Sequence, residues 1–161
     1  MPNQDLFVKM ILLAWTTQNS RTTKLFDSLT DDQLLAEVSP GRNRGIYLLG
    51  HLTAVNDGLQ VLLGFGERLF PTYEDIFLEN ADKAVVEMPP VATLREHWRL
   101  ATQKLSERFK QLTPAEWFLR HTAVSAEDFV REPHRNRLNV LITRISHEAY
   151  HHGQLVLLQK K

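Results

Sequence analysis

The chain of 161 residues contains no cysteine. That excludes disulfides, thiolate metal ligands and a cysteine nucleophile, so any bound metal must be held by histidine, carboxylate or water. No stretch reaches the roughly 18 uninterrupted apolar residues of a membrane-spanning helix. The N-terminal region lacks the basic segment, long apolar run and cleavage site of a secretion signal. An excess of charge is also missing: 19 Lys and Arg offset 19 Asp and Glu, which removes the electrostatic footprint of a nucleic-acid binder. No segment alternates apolar and polar residues with period two, and there is no short repeat or low-complexity tract. These absences predict a soluble, cytoplasmic protein with neither nucleic acid nor membrane as partner; a small-molecule substrate is the partner expected of an enzyme. With 43% apolar and 24% charged residues, residues 1–161 read as one globular domain.

What is present is helical periodicity. Over 5–29, Phe7, Ile11, Ala14, Gln18, Leu25 and Leu29 fall in one stripe, with Gln18 and Thr22 expected at its solvent boundary, the alternative being that they face a polar pocket. Thr30-Asp31-Asp32-Gln33 fits a capping box that opens a short helix ended by Pro40-Gly41. A second long helix spans about 44–63, with Leu48, Leu52, Val55, Leu59 and Leu62 as its band, His51 at one edge and Gly64-Phe65-Gly66 at its end. The region 70–91 has no sustained period and reads as a long connection with one helical turn near 73–78. Thr93-Leu94-Arg95-Glu96 is read as the cap of a third helix carrying Leu94, Trp98, Ala101, Leu105, Phe109 and Leu112. Thr113-Pro114-Ala115-Glu116 starts another short helix. After an irregular 121–133, a last helix begins at 136 or 137 and runs to 159. It is apolar on two sides: Leu138, Ile142, Ile145, Ala149 and Val156 on one, and Val140, Leu155 and Leu158 with His147 and His151 on the other. Four long helices with short ones between them make an all-α four-helix bundle. The double face of the last helix predicts a homodimer through the first or last helix.

Chemistry concentrates in Ser146-His147-Glu148-Ala149-Tyr150-His151-His152-Gly153-Gln154-Leu155. His147 and His151 lie one turn apart on one helical face, where two imidazoles reach one ion. His147-Glu148-x-x-His151 also matches the zinc-protease pattern. That reading fails downstream: only 10 residues follow His151, none is a carboxylate, and Gln154 and Leu157 stand where the extended motif needs Gly and His. A third ligand must come from upstream, with His51 the candidate and His97 its rival. His152 points away from the pair, and His121 and His134 lie in loops. Glu148 is a candidate base or orienting group, and Gln154 can orient a ring in the same way. Arg144, three residues before His147, can bind a substrate anion or, more simply, pair with a carboxylate of the bundle. Tyr47 and Tyr150 receive no role.

Ser39-Pro40-Gly41-Arg42-Asn43-Arg44-Gly45-Ile46-Tyr47-Leu48-Leu49-Gly50-His51-Leu52, together with the segment from Ser146, resembles the DinB/YfiT-like superfamily of bacterial four-helix bundles. The His151-x-Gly153-Gln154-Leu155 ending is its more specific part. The resemblance covers nearly the whole chain. It implies one divalent ion (Zn, Ni or Fe) held by His51, His147 and His151, and members that are often dimeric. It implies activity as a hydrolase, an isomerase or a transferase using a low-molecular-weight thiol. The alternative is a non-catalytic metal-binding module for stress response or interaction, with a structural ion.

Overall fold

The computed structural model describes residues 2–84 and 87–159. In chain order these form α1 (Pro2–Ser28), α2 (Asp31–Leu35), α3 (Gly45–Leu62), a π-helical turn (Asp75–Glu79), α4 (Val91–Phe109), a 3-10 turn (Pro114–Phe118), α5 (Ala126–Arg131), α6 (Arg137–Leu155) and a final 3-10 turn (Val156–Leu158). No strand occurs among the described residues, where only the isolated bridges Glu37 to Arg44 and Arg120 to Asn136 are seen. The four long helices close a ring in which α1 packs on α6 and α4, and α3 packs on α4 and α6.

Side-chain pairs set the helix directions. Trp15 meets Phe109 edge-on at 4.9 Å between centroids, while Trp98 donates to Thr23 Oγ1 at 2.9 Å, so α1 and α4 run antiparallel. Leu158, just beyond α6, packs where a Cβ on Gly45 would stand, so α6 runs antiparallel to α3. Helix α6 runs parallel to α1, since Thr22 meets His152 while Trp15 shares a cluster with Leu138 and Leu141, so α3 and α4 are parallel and the order is up, down, down, up. A parallel pair needs a connection that travels back along the bundle. That return is the reason for the long segment 63–90, of which positions 85 and 86 lie outside the described residues. Its π-helical turn falls where the sequence indicated one helical turn.

Local chemistry places the element ends. Thr30 and Thr113 both form the capping boxes read from sequence, and Asn136 caps α6 by accepting from Asn139 N. Gly64 and Gly66 take positive φ after α3, which lets Phe65 N turn back onto Gln60 O at 2.7 Å. Four expectations are corrected. Helix α2 stops at Leu35, where Ala36 is already extended, short of Pro40-Gly41. Helix α4 begins at Val91 behind Pro90, so Thr93 lies inside it and caps nothing; proline at that entry already supplies the extended backbone. Helix α5 was hidden in the stretch read as irregular, because no residue of it is buried and only Ser125, accepting from Asp128 N, signals its start. Along α1 the buried face is Val8, Trp15, Asn19, Thr22, Leu25 and Phe26, continued by Leu29 just beyond it, whereas Phe7 is 45% exposed and Thr22 is fully buried.

Polar residues explain that offset, and they divide the core. One apolar cluster gathers Leu25, Phe26, Leu48, Leu52, Trp98 and Leu155; the other gathers Trp15, Leu59, Leu105, Phe109, Leu138 and Leu141. Between them along the helices lie Asn19 and Thr22 of α1, Asn56 of α3, Thr102 of α4 and Glu148 of α6. In α6, Glu148 occupies the core stripe between Leu141 and Leu155, while Ala149, expected on the apolar side, is exposed.

Candidate metal centre

Helix α3 presents His51 and helix α6 presents His147 and His151. Their ligand atoms form a group within 4.8 Å of one another, a cluster that could hold a metal ion. His147 Nε2 lies 3.2 Å from His51 Nε2 and 3.1 Å from His151 Nε2. His51 and His147 are 96 residues apart in the chain, so the fold creates the cluster.

The outer nitrogens fix the tautomers. His51 Nδ1 stands 2.9 Å from Phe77 O, and a carbonyl only accepts, so the proton of His51 is on Nδ1. His151 Nδ1 likewise donates to Gln154 Oε1 at 2.7 Å, while Gln154 Nε2 donates to Tyr150 Oη at 3.2 Å. Both inner Nε2 atoms are then bare lone pairs. His147 can supply at most one proton between them, and its own Nδ1 is buried without a partner. Three ring nitrogens therefore converge with too few protons to bond one another, and a cation satisfies them all. The residues fit a divalent ion. Burial is the first cause lowering the pKa of all three, and it takes His147 down to about 4, which favours uncharged rings at neutral pH.

Supports beyond the histidines were not read from sequence. Phe77 is fully buried, and a Cβ on Gly50 would fall 2.2 Å from its ring. Glycine next to His51 therefore admits the aromatic whose carbonyl orients that histidine. Tyr47 Oη donates to Asn80 O at 2.8 Å and to Phe77 O at 3.3 Å, holding the same turn against α3. The Gly50-His51 dipeptide was visible, but a backbone carbonyl leaves no mark in sequence.

The remaining candidates are distributed as follows. Gln154 touches the cluster through His151. Glu148 makes no hydrogen bond to the three rings; it is 3% exposed and turns toward α1. Burial pushes its pKa up to about 7, and Thr22 and Asn19 partly offset this, although Oε1 and Asn19 Nδ2 lack well-formed partners. Arg144 lines a cavity of about 490 Å³ together with His51 and His147, and no carboxylate of the described bundle pairs with it. His97 is outside the cluster, stacked on Phe70 at 3.9 Å and bonded to Tyr73 Oη at 2.6 Å. His152 faces the Thr22 hydroxyl at 3.4 Å, part-buried between α6 and α1.

An up, down, down, up bundle with three histidines from its second and fourth long helices defines a class of helical proteins with a candidate metal site. The chain belongs to the DinB superfamily, whose family model matches residues 14–155. No curated protein matches it. No helix among the described residues is long and apolar enough to cross a membrane.

Proposed function

We propose that the chain is a metal-dependent enzyme, either a hydrolase or a transferase using a low-molecular-weight thiol. The observation that carries this reading is the convergence of three Nε2 atoms, with at most one proton among them, where two of the rings line a cavity. His51, His147 and His151 would hold one divalent ion, and three imidazoles suit Zn, Ni, Fe or Cu. Such an ion, when bound, supplies a Lewis acid that polarises a substrate oxygen and favours the anion of a nearby thiol or water. The chain's own residues set the stage for that chemistry. Phe77 O and Gln154 Oε1 aim two rings, and apolar walls from α3 limit water. Three protein ligands beside a cavity favour catalysis over a structural clamp, which has four.

Tag-free protein is expected to carry one equivalent of metal by elemental analysis, and His51→Ala to lose most of it; full occupancy in the variant removes His51 as a ligand. Assays with low-molecular-weight thiols and simple esters or amides should then compare wild type with His147→Ala. Equal rates would leave the non-catalytic module as the better account.

We also propose pairing with a second copy through α1, where Leu6, Met10 and Leu13 are 58%, 57% and 65% exposed at helical spacing. Light scattering at micromolar concentration should give twice the 18.6 kDa chain mass; the single mass sinks the dimer.

A further inference from the structure

The cavity beside the histidines has an uneven lining. Val55, Leu59 and Leu62 of α3 form an apolar wall, faced by Leu78 and Ala123. Its volume of about 490 Å³ suits a small molecule. Two cations reach it. Arg68 is engaged, donating through Nη1 to Ala54 O at 3.2 Å and through Nη2 to Glu74 Oε1 at 2.7 Å. Arg144 has no ion pair among the described residues, and its Nε is buried without a partner. Burial lowers its pKa, yet a guanidinium keeps its charge at any ordinary pH. A cation drawn partly out of water with no counter-ion is unfavourable, and an entering anion relieves that cost.

We propose that this cavity binds a small monocarboxylate bearing an apolar side chain. The carboxylate sits on the Arg144 guanidinium, and the apolar part lies against Val55, Leu59 and Leu62. The planar fork of Arg matches a carboxylate through two parallel hydrogen bonds. With Arg68 neutralised by Glu74, one unpaired positive charge suits a monoanion better than a phosphate dianion. Arg144 precedes His147 by one helical turn, roughly 5–6 Å. On the enzyme reading above, the reacting group therefore lies within a few bonds of the carboxylate; only this last point rests on that reading.

The test is calorimetric titration of tag-free protein, metal-stripped and metal-loaded, with hexanoate, 1-hexanol and hexyl phosphate. Elemental analysis of each sample reports its metal. Hexanoate is expected to bind the stripped protein about 10- to 100-fold more tightly than either competitor, the margin of a charge-assisted pair. Arg144→Gln should erase that margin with metal content unchanged, and circular dichroism checks that it folds. Should the variant misfold, the three-ligand comparison on wild type still decides. Equal affinity for hexanoate and hexanol, a preference for hexyl phosphate, hexanoate binding only with metal present, or an unaffected Arg144→Gln each overturns the proposal. Hexanoate bound by a protein that takes up no metal would keep this site and remove the enzyme reading; metal uptake without hexanoate binding would do the reverse.

Discussion

Glu148 shows how a single side chain can sit beside a centre in sequence and outside it in space. One position after His147 is a rotation of about 100°, and that step carries the carboxyl into the contact with Asn19 and Thr22 of α1. Its pKa, raised by burial to about 7 from 4.5, makes a prediction with a definite sign. A raised folded-state value stabilises fully below the unfolded pKa and is lost as pH climbs through the folded one. The window is thus pH 4.5 to 7, and the loss above it is on the order of 3 kcal/mol. Buried histidines act oppositely: His147, lowered to about 4, costs stability as pH falls below 6.5. Comparing Glu148→Gln with wild type cancels the histidine contribution. In urea denaturation of metal-free protein, the variant should gain on wild type between pH 5 and pH 8. An unchanged difference across that range would show that the carboxyl is not buried as described. The same residue marks a limit of sequence reading. His147 and His151 declare themselves by spacing, and His51 by standing in an apolar pattern. Asn19, Thr22 and Glu148 look like boundary residues because hydrophobic periodicity assigns every polar side chain to water, and here the core accepts them.

Among the elements, the short turn at Asp75–Glu79 matters more to the centre than its length implies, because its Phe77 carbonyl is the acceptor that sets His51. Gly50→Ala tests this link. The new methyl would stand 2.2 to 2.6 Å from three atoms of the Phe77 ring, so ring and turn must move. Overpacking of this kind costs about 1–3 kcal/mol, and loss of an orienting partner weakens metal binding about 10- to 100-fold. The variant should show both effects in thermal unfolding and in competition with a chelator. A normal metal affinity in a destabilised variant would detach Phe77 from the site. The four long helices and the starts at Thr30 and Thr113 were legible, since the capping boxes there and the apolar series from Leu94 to Phe109 are local signals. The Phe77 contact was not legible, because it depends on where a long connection returns across the bundle.

For the whole molecule, the centre ties α3 to α6, two helices that share an edge of the ring. Free ion at about 100 times its dissociation constant stabilises a folded protein by about 2.7 kcal/mol. For a chain of this size that raises the unfolding temperature by about 5–11 °C. Stripping the metal should lower the melting temperature by that amount in wild type and leave His51→Ala unchanged, as read by scanning calorimetry. The order of the four helices lay beyond the sequence pattern, because periodicity records which face is buried and not which way a neighbour runs. The contacts of Trp98 with Thr23 and of Leu158 at Gly45 supply that direction.

The separation of 96 residues between His51 and His147 also bears on time. Their meeting requires the bundle to have closed and the connection behind α3 to have crossed it, which places the contact late in folding. An interaction absent from the transition state leaves the folding rate alone and acts on the reverse rate. Added metal should therefore slow unfolding in stopped-flow experiments by roughly the full factor of its stabilisation while refolding proceeds at the metal-free rate. The ion would then act as a latch on the finished protein, and its loss would shorten the lifetime of the native state without impairing the chain's ability to reach it.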